Sequence, residues 1–244
     1  MDDFLAPLLV VVTTALIQSV FGVGVLLLGT PWLMALGVGF TEALWILLPV
    51  SLAISLLQLV TGWLSVDWGT VRDITVWALP TIAIALALTT VFRPPVEVLV
   101  AAVVLSVAMM DHSAWMRERV EKLVEKRRAY LVCMGLVHGV SNLGGSLLTA
   151  FVHAGLSTKD TARATIAAGY VLFASIQLLT LWVAAAPGAG GLTRTTATVA
   201  IGATTFLAVE RLSAGRIDSA RYRTGLSVLL ACAGCLILFR AAFP

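Results

Sequence analysis

Ser141-Asn142-Leu143-Gly144-Gly145 interrupts an apolar stretch, residues 129–156, that is too long for an ordinary membrane span. A span needs ~20 mostly apolar residues, and the flanks of this break have ~12–17, enough to reach mid-membrane but short for a full crossing. The anomaly occurs twice. Residues 4–37 form a second overlong stretch, interrupted by Phe21-Gly22-Val23-Gly24.

Around these two segments lie six stretches that read as plain spans: roughly 43–65, 74–92, 95–111, 163–186, 193–210 and 224–242. The chain has 244 residues, 59% hydrophobic and only 12% charged, with mean hydropathy +0.99. A chain this short cannot hide so much apolar surface from water, so an all-α integral membrane protein is expected. The start, Met1-Asp2-Asp3-Phe4, lacks the basic region of a signal peptide, and the first segment is expected to be retained. Cys232-Ala-Gly-Cys235 has redox spacing but sits in an apolar run with Cys133 far away, and reads as small residues on a helix.

The halves repeat. At an offset of 119, Gln58-Leu-Val-Thr-Gly-Trp63 falls on Gln177-Leu-Leu-Thr-Leu-Trp182, with four of six positions identical, and Ala43 falls on Ala162; at 120, Gly24 falls on Gly144. Each half therefore reads as an interrupted segment plus three transmembrane helices: residues 1–111, a basic linker 112–128 and residues 129–244. Charge placement tests the topology, because basic residues gather in cytoplasmic loops. If both interrupted segments crossed fully, the sixteen Lys and Arg would divide nine against seven. If each is a re-entrant hairpin, Arg72, the six bases from Arg117 to Arg128, Lys159, Arg163 and the four arginines from Arg211 to Arg223 share one side, thirteen of the sixteen. The hairpin arrangement is preferred, and its three crossings per half make the two repeats inverted.

Irregular backbone at membrane depth is tolerated only inside protein or beside a wet cavity. Gly22, Gly24, Gly144 and Gly145 are expected to allow sharp turns, after which each restarting helix presents N–H groups and a positive dipole end suited to a small anion. The competing reading is that the glycines serve close helix packing, but their coincidence with a length anomaly at both breaks favours the site. Gln18 and Ser19 precede the first break; His138, at the position matching Gln18, precedes the second, where Ser141, Asn142 and Ser146 lie. These polar groups, with Gln58 and Gln177 at equivalent mid-helix positions, are the candidate substrate contacts. His138 is also the candidate proton carrier. Trp63 and Trp182 suit the aromatic belt, and Glu42 and Asp160 suit helix starts. No acid falls in mid-span, and residues 117–128 have the spacing of a short amphipathic surface helix.

In these motifs the chain resembles the sulfite exporter TauE/SafE family of bacterial membrane permeases. The resemblance rests on Phe21-Gly-Val-Gly-Val-Leu-Leu-Leu-Gly-Thr-Pro31, Gly39-Phe-Thr-Glu-Ala43, Val66-Asp67-Trp68, Asn142-Leu-Gly-Gly-Ser146 and the arginine-rich stretch 211–223, in that order. Val25 and Ser146 stand where family members often carry a further glycine and a proline. The resemblance implies an exporter of a small anion such as sulfite, an organosulfonate or a small carboxylate. It also implies a multi-pass protein of the bacterial inner membrane, with the central basic loop cytoplasmic and the termini outside.

A secondary transporter working by alternating access is thus the expectation, in contact with membrane lipid and driven by protons or the membrane potential; homo-oligomerisation is left open. No nucleotide motif, metal-ligand spacing of His112, His138 and His153, catalytic carboxylate or nucleic-acid surface is seen, so no cofactor, metal or enzymatic activity is expected. A non-transporting membrane subunit is the competing reading, and a membrane-embedded enzyme a weaker one.

Overall fold

The computed structural model describes residues 2–21, 24–92, 94–110, 113–156, 158–184, 191–213 and 219–242. Among them there is no strand. The helices are α1 (Asp2–Phe21), α2 (Val25–Ala35), α3 (Phe40–Gly62, extended by a 3-10 turn, Trp63–Ser65), α4 (Trp68–Trp77), α5 (Leu79–Phe92), α6 (Val96–Met110), α7 (Ala114–Glu125), α8 (Arg127–Ser141), α9 (Gly145–Gly155), α10 (Lys159–Ala184), α11 (Gly191–Ser213) and α12 (Ser219–Ala242). Residues 40–65, 68–92 and 159–184 are long and apolar enough to cross a membrane. The second of these starts before the expected residue 74, because Asp67 caps α4 and lets the helix begin at Trp68. The amphipathic linker helix is α7, capped by Ser113, whose Oγ accepts from the Met116 N–H at 3.3 Å.

Both interrupted segments double back. Residues 130 and 147 would lie about 25 Å apart along one straight helix. Instead the Tyr130 hydroxyl donates to the Leu147 carbonyl at 2.7 Å, and its ring stacks on Phe151 with centroids 5.4 Å apart. At the first break, a Cβ on Gly24 would lie 2.9 Å from the Gln18 nitrogen and 3.0 Å from the Thr14 carbonyl, so α2 returns along the last turns of α1. The return arms α2 and α9 have 11 residues each, about 16 Å, roughly half the hydrocarbon thickness.

Each hairpin is gripped by a helix from the opposite half of the chain. The first arm α1 packs on α11, and α8 packs on α5; α3 lies against α10, and α6 against α12. The α8–α5 contact is close because Gly135-Leu-Val-His-Gly139 places two glycines on one face, a small-xxx-small pattern. A Cβ on Gly139 would come within 2.6 Å of Ala85 Cβ and 2.7 Å of the Ile82 carbonyl. Gly139→Val should therefore force α8 off α5 and lower stability by about 1–3 kcal/mol; thermal unfolding of the purified protein checks this.

Asp67 ties the α3–α4 corner together. Its Oδ2 accepts from the Thr70 hydroxyl at 2.6 Å and the Thr70 N–H at 3.2 Å, its Oδ1 accepts from Gly69 N–H at 3.3 Å, and its own N–H donates to Thr165 Oγ1 on α10 at 3.0 Å. The Thr70 hydroxyl, against a smaller opposing effect of burial and aided by the two N–H groups and Arg127, holds the carboxyl below its ordinary value. Because the folded pKa is depressed, this stabilisation is complete above the unfolded value and is lost as pH falls through the folded one. A melting series run into acid should show that loss, and Asp67→Asn should lack it.

Candidate functional site

The second hairpin tip is built on Asn142. Its φ of 62° is left-handed, a conformation that Asn adopts more readily than most residues. Its N–H closes the last turn of α8 on the His138 carbonyl at 2.7 Å. Its side chain reaches the other hairpin: Asn142 Nδ2 donates to Thr30 Oγ1 of α2 at 2.8 Å, with both residues fully buried. Gly144 and Gly145 follow because no side chain fits there. A Cβ on Gly144 would lie 2.5 Å from His138 Cβ, and one on Gly145 would overlap the Tyr170 hydroxyl.

The two restarts are capped alike. Gln18 Oε1 accepts from the Val25 N–H at 3.0 Å, and His138 Nδ1 accepts from the Gly144 N–H at 3.1 Å. The expectation of free N–H groups at the turns is corrected to that extent: at each break a buried side chain one turn back takes one of them, since an orphan donor in this apolar setting would be costly. The remaining first-turn N–H groups still lack intrahelical acceptors, as at any helix start. Accepting at Nδ1 makes His138 the neutral Nε2–H tautomer. Gly22 lies outside the described residues, as do the side chains of the arginine-rich stretch 211–223.

Behind each capping side chain stands a glutamine. Gln18 Nε2 reaches Gln58 Oε1 of α3 at 3.5 Å, and His138 lies beside Gln177 of α10. Each glutamine thus backs its own hairpin tip. All four residues are buried, yet Gln58 Nε2, His138 Nε2, both polar atoms of the Gln177 amide and Asn142 Oδ1 have no hydrogen-bond partner. Unpaired buried polar atoms are rare in folded proteins and call for a specific explanation, such as an absent water or ligand. The three serines named from the sequence are different: the Ser19, Ser141 and Ser146 hydroxyls donate to the Leu16, Val137 and Leu143 carbonyls of their own segments. Ser141 Oγ also accepts from Leu143 N–H at 3.2 Å, shaping the turn.

Sequence reasoning missed Ser51, Ser55 and Thr30. Ser51 and Ser55 are fully buried, and their hydroxyls are also unpaired. With Gln58 they stand at i, i+4 and i+7, one face of α3, and that spacing is the signal that could have found them. Thr30 gave no such signal, because its role depends on a contact 112 residues away.

The family model described as sulfite exporter TauE/SafE matches residues 7–237. The chain belongs to that family. TauE/SafE proteins are membrane transporters, and the match takes in both hairpins and every polar residue described above. No curated protein and no solved structure matches this TauE/SafE chain. Among its described residues no group of three or more His, Cys, Asp or Glu side chains could hold a metal ion. Its three cysteines are exposed on the helix surfaces, as are Trp63 and Trp182.

Proposed function

We propose that this TauE/SafE protein is a secondary transporter, an exporter by the resemblance, of a small anion: sulfite, an organosulfonate or a small carboxylate. The observation that carries the reading is the contact of the second hairpin tip, at Asn142, with Thr30 in the middle of the first hairpin's return arm α2, together with the unpaired buried polar atoms on α3, α8 and α10 and at the second tip. Most of those atoms can donate: the serine hydroxyls, the glutamine amides and His138 Nε2–H. A donor-rich set of side chains with no lysine or arginine among them would favour an oxyanion and let it leave again. The starts of α2 and α9 each add a positive dipole end at their own hairpin tip.

The two halves act as inverted repeats in this reading. Its support is the matched capping at Val25 and Gly144 and the reciprocal grip of α11 on α1 and α5 on α8. Rocking one repeat against the other would part the tips and open the cluster to one side at a time. The protein would sit in the bacterial inner membrane with α7 and the flanking bases cytoplasmic and both ends outside, following the charge bias. His138 offers a route to proton coupling: protonating Nδ1 requires release of the Gly144 N–H, which loosens the tip.

Uptake and counterflow in proteoliposomes, with sulfite, sulfoacetate and small carboxylates and with or without a pH gradient, test the proposal. Saturable flux of one of these anions, lost in Gln177→Leu and Ser55→Ala, is the expected result. Absence of flux for the whole panel from monodisperse protein would overturn it.

A further inference from the structure

Away from the hairpin tips, Arg72, Asp73, Val76 and Trp77 of α4 and Arg127 and Arg128 of α8 line a cavity of about 360 Å³. The single acid in this wall is already engaged, since Asp73 forms an ion pair with Arg127. Arg127 is further fixed by Thr70 Oγ1, to which it donates at 3.0 Å, and by the Phe151 ring of α9, 4.9 Å away. Arg128 lies over the Trp77 ring at 5.2 Å. Neither Arg72 nor Arg128 is in an ion pair among the described residues, so the cavity keeps an unbalanced positive charge.

Its position gives the ligand a second half. Arg72 stands near the start of the apolar segment 68–92, and Val76, one turn further in, is 52% exposed. A molecule held here would have its anionic group between two guanidinium groups and its remainder directed along the apolar flank of α4. Paired arginine donors match a phosphate ester, and a tryptophan beside them is the side chain favoured at a membrane–water boundary.

We propose that this cavity is a binding site for the headgroup of an anionic phospholipid, with Arg72 and Arg128 contacting the phosphate and Arg127 holding α4, α8 and α9 in register around it. The site is separate from the transported anion and does not depend on that assignment. Occupancy would brace α8, the first arm of the second hairpin, against α4.

The test is native mass spectrometry of the full-length protein in neutral detergent, titrated with phosphatidylglycerol, with phosphatidylcholine and with soluble glycerol 3-phosphate. Wild type should retain one phosphatidylglycerol in preference to phosphatidylcholine, and glycerol 3-phosphate should not displace it. Arg72→Gln/Arg128→Gln should weaken retention about twenty-fivefold, roughly fivefold for each arginine. Asp73→Asn should strengthen it, because it removes the one negative charge in the wall. Equal retention by wild type and the double variant would overturn the proposal. So would glycerol 3-phosphate binding as tightly as the lipid, which would assign the cavity to a free phosphate ester.

Discussion

Gly144→Trp should abolish saturable anion flux in proteoliposomes while the protein still reaches the membrane and purifies as a single species. Any side chain at this position starts from a Cβ 2.5 Å from His138 Cβ and 3.0 Å from its Cγ. The His138 ring cannot yield easily. Its Nδ1 holds the Gly144 N–H, and its face packs on Phe173 with centroids 4.5 Å apart. The tip must therefore move, and with it Asn142 and the start of α9. A displacement of about 1 Å at a working site can cost on the order of a hundredfold, and an indole requires far more. Gly144→Ala should give an intermediate loss, since one methyl already meets His138. The result that would sink the hairpin site is wild-type flux from Gly144→Trp. The grip of α5 on Gly135 and Gly139 holds α8 independently of the tip, which is why loss of flux is expected without loss of the fold.

How much of this was readable beforehand follows the kind of interaction. The two breaks announced themselves, because a length set by membrane thickness conflicts with a glycine-rich interruption, and both facts are local in sequence. The preference for hairpins came from loop charges alone, and Tyr130 meeting Leu147 and Phe151 agrees with it. The equivalence of Gln18 and His138 was visible as an offset. Their identical task, accepting one backbone N–H from the returning arm, was not, since it depends on the path of a three-residue turn. The same limit explains the serines. Ser19, Ser141 and Ser146 at the breaks each donate to a carbonyl three or four residues back, a local bond that a hydroxyl on a helix finds cheaply and that spacing alone does not announce. Ser51 and Ser55 escape that fate with their hydroxyls unpaired, and the face they share with Gln58 is the one sequence signal that sets them apart.

The Asn142–Thr30 bond is where backbone and side-chain roles can be separated by choice of substitution. Asn142 does two things: it holds a left-handed backbone at φ 62°, and it joins the two hairpins. Asn142→Gly keeps the first and removes the second, whereas Asn142→Ala removes the bond and adds roughly 1–2 kcal/mol of backbone strain. If the site's function resides in the junction, Asn142→Gly should retain most of the melting temperature. The lost bond is worth about 0.5–1.5 kcal/mol, partly offset by relief of the unpaired Oδ1. Anion flux should nevertheless fall by up to about tenfold, the rate equivalent of that bond energy at its upper end. Thr30→Val removes the other partner and strands Asn142 Nδ2 in an apolar interior, so it should cost more stability for a similar loss of flux. In a double-mutant cycle, Asn142→Gly with Thr30→Val should be less damaging than the two single effects added, because both delete one interaction. Additive losses, or a Gly variant that transports normally, would place the transported anion elsewhere and leave Asn142 a purely conformational residue.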